Sequence, residues 1–440
     1  MPNKKEKIKT VNKKKQRGPR VELPQSLRGM SDILPKDELW WKTVWHAGET
    51  VSELHNFSFI ETPIVEPAAL FELGVGASTD IIEKEMYTFR TKGGERVSLR
   101  PEGTAPVMRS FLEHHLGYFA SPLKAYYVGP MFRYERPQAG RERQHHQWGF
   151  EIIGDSDPLY DAQVIIIALD FFKALKLKDI TLKINSIGCR VCRPTYKEKL
   201  KNYYQSERAK LCRDCERRLE MNPLRLLDCK EEGCRLIRAR APIILDYLCQ
   251  GCNNHLKSVL ELVEDNSINY EPDPYLVRGL DYYSRTVFEL VHASSGLALA
   301  GGGRYDYLSE ILSGRSVPAV GVALGLERII DTMIKSGNVP HFRTKPKIFF
   351  TAVGEQAKKA SLRIMSELRS SGIVVVEALG KKSLKAQLKL ADKIKAPLAL
   401  IFGQREVFEK TVIVRNMESG AQETVVIDRL VEEVKKRLKS

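Results

Sequence analysis

A block of eight cysteines between Cys189 and Cys252, with none elsewhere in the 440 residues, restricts the folding of this chain more than any other feature. Strand-type sequence stops before the block and resumes after it, so one domain is expected to carry another inside it. The cysteines are paired. Cys189/Cys192, Cys212/Cys215 and Cys249/Cys252 have two residues between partners, and Cys229/Cys234 has four. The shorter spacing puts two thiolates on one turn, two such turns complete a tetrahedral zinc site, and eight ligands suffice for two sites of four. A small insertion with little apolar core would gain folding energy from that metal. Free or partly oxidised thiols are the alternative. The amino terminus lacks the apolar stretch of an export signal, which favours metal over disulfides and a cytoplasmic location.

The rest of the chain divides around this block. Residues 1–20 carry nine Lys or Arg and one Glu, which is +8 of the net +15, and read as a disordered basic arm, either a solubilising tail or an extra phosphate contact. The other 420 residues keep +7, which favours a polyanionic partner. Residues 21–187 and 266–335 read as the two parts of one domain, 188–265 as the helical, Cys-rich insertion, 336–346 as a linker, and 347–440 as a compact α/β domain with "KIFFTAV", "GIVVVEAL", "PLALIFG" and "KTVIVRN" as buried strands. No apolar run approaches 18–20 residues, so no transmembrane helix and no membrane partner are expected.

Four segments carry chemistry. Residues 124–154 read as a long hairpin, with Arg133 on a strand and Arg136, Arg141 and Arg143 at a polar tip, a pattern suited to phosphate. "SLRPEGTAP" (98–106) sets Glu102 and Thr104 beside Gly103 in a tight turn. "GLERII" places Arg328 near a helix start after a strand running through Gly321 and Gly325. "LVRGLDYYSRTVFEL" (276–290) alternates like a strand yet packs Arg278, Asp281, Tyr282, Tyr283 and Arg285 where a core strand would be apolar.

Together and in this order, the segments resemble a class II aminoacyl-tRNA synthetase. "FIETPIVEPAALF" is similar to its motif 1, "GPMFRYERP" with "QWGFE" to motif 2, and "GVALGLER" to motif 3; "LRPEGTAP" and "LVRGLDYYSRTVFE" narrow the resemblance to the histidyl-tRNA synthetase family over residues 25–440. The resemblance implies an α+β catalytic domain built on an antiparallel sheet, a helical Cys-rich insertion and a C-terminal α/β anticodon-binding domain. The implied reaction is ligation of L-histidine to its tRNA through histidyl-adenylate, with ATP as substrate and Mg2+ on the phosphates.

By the same resemblance, Arg133 would hold the ATP α-phosphate and Arg328 the γ-phosphate, with His145 at adenine, where relatives often carry an aromatic residue. Arg278 would neutralise the histidine carboxylate and the α-phosphate as they meet, making Arg278 and Arg133 the catalytic pair. Glu102, Thr104 and Gln147 would hold the ammonium; Glu151 and Tyr283, with Tyr282 nearby, would hold the imidazole. So polar a pocket rejects apolar amino acids, and no editing domain is required. Asp281 and Arg285 are left as supports.

For tRNA the expected contacts are Arg136, Arg141 and Arg143 at the hairpin and Lys385, Lys389 and Lys393, with Lys382, on one basic helical stripe. Motif 1 implies a homodimer. The rival reading is a histidine-sensing regulatory paralogue of ATP phosphoribosyltransferase, which lacks the C-terminal domain and tends to lose the ATP-binding arginines; both are present in this chain.

Overall fold

The computed structural model describes residues 23–76, 79, 81–138, 140–338, 340, 347–381 and 383–439; the basic arm, most of the linker and Lys382 lie outside them. The described residues form two compact units, dividing between Phe342 and Arg343.

The first unit is organised by an eight-stranded sheet in the order Ser58–Phe59, Leu123–Phe132, Gln144–Ile153, Ala319–Gly325, Leu297–Arg304, Ser284–His292, Ile180–Ser186 and Tyr270–Pro272. Its interior pairs are antiparallel, and only the pair at each edge is parallel. Side chains alternate across such a sheet, and the alternation here separates a core from a site. Trp148, Phe150 and Ile152 pack with Val320, Val322 and Leu324 into the main apolar core, under helices that include Glu38–Leu54, Pro158–Ala174 and Leu326–Lys335. The intervening residues Gln147, Gly149 and Glu151 stand on the other face, in register with Gly325, Ala323 and Gly321.

Two expectations are corrected. Residues 276–283 are not strand: regular pairing starts at Ser284, and Leu276 to Tyr283 forms an irregular segment fixed by single contacts. The Asp281 N–H donates to the Val75 carbonyl at 2.9 Å, and the Arg278 carbonyl accepts from Arg225 Nη1 at 2.9 Å. A polar-rich run has no ladder to join when its side chains are claimed from several directions. The second correction concerns the residues between the strands Ile180–Ser186 and Tyr270–Pro272. They are helical, as expected, but they bury a core of their own, with Tyr196, Leu200, Tyr204, Leu219, Leu226 and Ile237 among its members.

The cysteines fall into two groups of four. Cys189 and Cys192 join Cys249 and Cys252, whereas Cys212 and Cys215 join Cys229 and Cys234; within each group the sulfurs lie within 4.8 Å of one another. The first group draws the two ends of the helical region together.

The second unit is a five-stranded sheet in the order Val374–Glu377, Lys347–Ala352, Leu398–Phe402, Thr411–Asn416 and Gln422–Val426, parallel at the first three strands and antiparallel at the last two. The fifth strand is too polar, "QETVV", to have been read from its pattern. On the helix Leu384–Lys393, Lys385, Lys389 and Lys393 are exposed at four-residue steps, one stripe as expected.

Candidate active site

The sheet face opposite the main core is the floor of a cavity of about 190 Å3. Glu102, Thr104, Arg133, Arg141, His145, Gln147, Arg278, Tyr282, Tyr283 and Arg328 all line it, although they come from segments separated by up to 226 residues. Small residues make room for them: a Cβ at Gly321 would overlap the Glu151 carboxylate, and one at Gly301 would overlap the Arg278 guanidinium.

One end of the cavity is a network of carboxylates and hydroxyls. Glu102 sits at the start of the helix Thr104–Glu113, and its two oxygens accept from the Thr104 and Ala105 N–H groups at 2.8 Å each. The Tyr282 hydroxyl donates to Glu102 at 3.2 Å. Burial pushes the Glu102 pKa up, and the two backbone donors counter it. Glu151 is also buried, accepting from Thr104 Oγ1 at 2.8 Å and from the Tyr305 hydroxyl at 2.5 Å. Burial raises its pKa to about 8, against these two donors, with the Glu102 charge adding to the rise. Gln147 Oε1 is buried here with no hydrogen-bond partner, an acceptor left over in the cavity wall.

The other end is cationic, and its charges differ in how they are held. Arg278 is ion-paired with Glu289, and its Nε stays buried and unpartnered. Arg141 is paired with Glu135 at 3.0 Å. Arg133 and Arg328 have no acidic partner among the described residues: Arg133 Nε donates to the Pro101 carbonyl at 2.8 Å, and Arg328 donates to the Gly140 and Ala298 carbonyls at 2.6 and 2.9 Å. Backbone carbonyls orient a guanidinium without cancelling its charge, so these two arginines are the ones in the cavity wall that no bonded carboxylate neutralises directly. His145 lines the same cavity and feels both charges. Burial and then the charges of Arg133 and Arg328 lower its pKa to about 3, so its ring is a neutral, flat surface near pH 7.

Other expected residues are placed differently. Glu151 lies beneath the cavity floor, reached through Thr104 and Tyr305. Arg143 turns back into the hairpin, stacking over Tyr134 at 3.9 Å and donating to the Glu135 carbonyl, whereas Arg136 is exposed. Asp281 and Arg285 point to the helical region: Asp281 accepts from Asn222 Nδ2 at 3.1 Å, and Arg285 lies 3.4 Å from His255, which joins a buried cluster with Asp161 and Arg304. Sequence reasoning missed Tyr305, Glu289 and Glu327. Glu327 accepts from the His146 backbone N–H at 2.9 Å, tying the helix Leu326–Lys335 to the hairpin strand Gln144–Ile153.

A cavity with one polar, hydrogen-bonding end and one end of unpaired guanidinium groups fits an amino acid beside a polyphosphate. A family model described as "Histidyl-tRNA synthetase" matches residues 29–329, and one described as "Anticodon binding domain" matches 347–437. The chain belongs to the histidyl-tRNA synthetase family. Among curated members of that family, a histidine–tRNA ligase of Dehalococcoides mccartyi is 45% identical over 416 residues, covering 94% of this chain and 100% of the relative. One of Halothermothrix orenii is 45% identical over 412 residues, covering 93% and 98%. The solved apo histidyl-tRNA synthetase of Staphylococcus aureus superposes with a TM-score of 0.78 at 34% identity, over 94% of this chain and 100% of that one. The synthetase fold seen there agrees with the mixed sheet and C-terminal unit described above.

Proposed function

We propose that the chain is a histidine–tRNA ligase whose two half-reactions take place in the 190 Å3 cavity. The histidine carboxylate attacks the α-phosphorus of ATP, a P–O bond breaks and pyrophosphate leaves; a terminal ribose hydroxyl of the tRNA then attacks the acyl carbon and AMP leaves. The observation that carries this reading is the meeting of Arg133, Arg278 and Arg328 with the Glu102, Thr104 and Glu151 network on one sheet face.

In this reading Arg278 sits where the two substrates join. With one nitrogen held by Glu289, its Nε edge is left to bridge the histidine carboxylate and the α-phosphate, whose like charges would otherwise repel. Arg133 and Arg328 hold the α- and γ-phosphates, and the neutral His145 ring covers the adenine. Glu102, Gln147 and Thr104 receive the ammonium. Tyr283, with Glu151 below and Tyr282 alongside, receives the imidazole. Among the described residues no three carboxylates converge at the cavity, so a magnesium ion would take most of its ligands from ATP phosphates and water, neutralising their charge. Histidine-dependent exchange of pyrophosphate into ATP is the direct assay, and its absence with histidine, ATP and magnesium present would refute the reading.

We assign the catalytic domain to 21–187 and 266–335, the insertion to 188–265, the linker to 336–346 and the anticodon-binding domain to 347–440. The tRNA contacts assigned are Arg136 on the exposed hairpin tip and the Lys385, Lys389 and Lys393 stripe; Arg141 and Arg143 would act there only if the tip refolds on binding. Neutralising the three lysines should reduce the salt dependence of tRNA binding. A homodimer is supported by Phe59, Ile64, Val65 and Leu73 of the motif 1 region, which are exposed apolar residues in the single chain. Sedimentation as a monomer at micromolar concentration would exclude it. No helix among the described residues is long and apolar enough to cross a membrane, and the cytoplasm is the location proposed.

Two structural zinc ions fit the cysteine groups. Sulfurs 2.3 Å from one zinc lie about 3.8 Å apart in a tetrahedron, and the separations within the first group include 3.5, 3.8, 3.9 and 3.6 Å. The bound ion would crosslink the group. Because the region also buries an apolar core, metal adds to its stability and is not the sole source of it. Elemental analysis of protein purified without added zinc should find close to two ions per chain; fewer than about 0.3 would count against the assignment.

A further inference from the structure

A second cavity, of about 80 Å3, shares Arg278 and Leu280 with the active site but opens among residues of the helical region. Its charged lining is unbalanced. Arg193, Lys197 and Arg225 face it with Asp281 as the one acid, while Arg278 is already paired with Glu289. Arg193 donates from Nη2 to the Gly188 and Tyr283 carbonyls, at 3.2 and 2.6 Å, and its Nε is buried with no partner. Lys197, half-buried one helical turn further on, has no hydrogen-bond or ion-pair partner among the described residues. Asn222 gives its amide N–H to Asp281, so that the one acid is already engaged by a neutral donor. Gathering three cations about one acid, with donors left over, costs stability unless an anion fills the space.

We propose that this cavity is a phosphate subsite, holding one phosphate group between Arg193, Lys197 and Arg225. It is far smaller than the cavity assigned to histidine and ATP, so it suits a single tetrahedral oxyanion and not a nucleoside. The same chemistry is offered by a phosphodiester of the RNA backbone and by free inorganic phosphate. Either occupant is felt in the active site through backbone, because Arg225 holds the carbonyl of Arg278 and Arg193 holds that of Tyr283.

Lys197 holds no backbone group, so Lys197→Gln and Lys197→Glu test the subsite with least risk to the fold. The full-length protein, its main cavity filled by the sulfamoyl analogue of histidyl-adenylate, is titrated with inorganic phosphate against chloride at constant ionic strength while the melting midpoint is followed. In parallel, the KM for tRNA in aminoacylation and the rate of histidine-dependent pyrophosphate exchange are measured. If free phosphate is the ligand, it raises the wild-type midpoint and both variants lose that rise. If the ligand is an RNA phosphate, Lys197→Gln raises the tRNA KM about tenfold, the size of one charge-assisted hydrogen bond, and Lys197→Glu raises it further, with exchange unchanged within about twofold. The subsite is overturned if all three proteins share the same phosphate response and the same tRNA KM, or if exchange falls in parallel with aminoacylation, which would make Lys197 a mere prop.

Discussion

The two ends of the active-site cavity treat charge in opposite ways. At the end proposed for histidine, Glu102 and Glu151 are buried and met by hydroxyl or backbone donors, a closed network in which Glu151 is held protonated. At the end proposed for the phosphates, Arg133 and Arg328 are held by backbone carbonyls, and no carboxylate is bonded to them. The difference matches the proposed ligands: an ammonium and an imidazole need matched donors and acceptors at fixed places, whereas a triphosphate needs cations whose charge is not already taken by a carboxylate. Arg278 is proposed to serve both ends, paired with Glu289 and unpartnered at its buried Nε.

Removing that shared residue should have the largest effect. Arg278→Ala is expected to reduce pyrophosphate exchange by about 10³-fold or more in protein that still folds, with the melting midpoint lowered as Glu289 loses its partner. Exchange within tenfold of wild type would mean that the two ends do not meet at this side chain. Next in size, Arg133→Ala or Arg328→Ala should lower kcat/KM for ATP by roughly 100-fold and leave the KM for histidine alone, because only the phosphate end loses charge.

Glu151→Gln tests the closed network and should raise the histidine KM about tenfold, with the ATP KM unmoved. It also has a pH signature. Burial raises the Glu151 pKa from the ordinary 4.5 to about 8, so the folded chain holds a proton that the unfolded chain releases. Stability from this group is therefore complete below about pH 4.5 and is lost as pH rises through 8. The melting midpoint of Glu151→Gln relative to wild type should climb between pH 5 and 8 and then level. A difference flat across that range would show that Glu151 is not held protonated. The smallest change, Tyr305→Phe, removes one donor to Glu151 and should raise the histidine KM by only about threefold, since Thr104 remains.

Much of this site could be read before folding. Gln147 and Glu151 are two strand pairs apart, so alternation alone puts them on one face, and the glycines at 321 and 325 mark where the facing strand must make room. Tyr305 and Glu289 were not legible. Tyr305 follows an arginine in a run that looks like strand end, and Glu289 sits among apolar residues of a strand where it reads as a solvent-facing exception. Their roles come from partners 154 and 11 residues away. The same limit applied to "LVRGLDYYSRTVFEL". Its second half pairs as a strand, but its first half takes its shape from Val75, Asn222 and Arg225, none of which is near it in the chain.

The sequence by itself determined which chemical groups the protein has and roughly where each lies along an element: the arginines, the carboxylates, the paired cysteines and the alternating strands that carry them. Only the tertiary structure decided which arginines are bonded to a carboxylate and which to carbonyls alone, which cysteine pairs share a group, and that Arg141 and Arg143 turn inward while Arg136 stays exposed. Alternation and turn spacing are local and survive in the one-dimensional chain. Charge pairing and ligand grouping depend on distances of a few ångströms between residues set by sheet register and helix packing, and those distances exist only once the chain has folded.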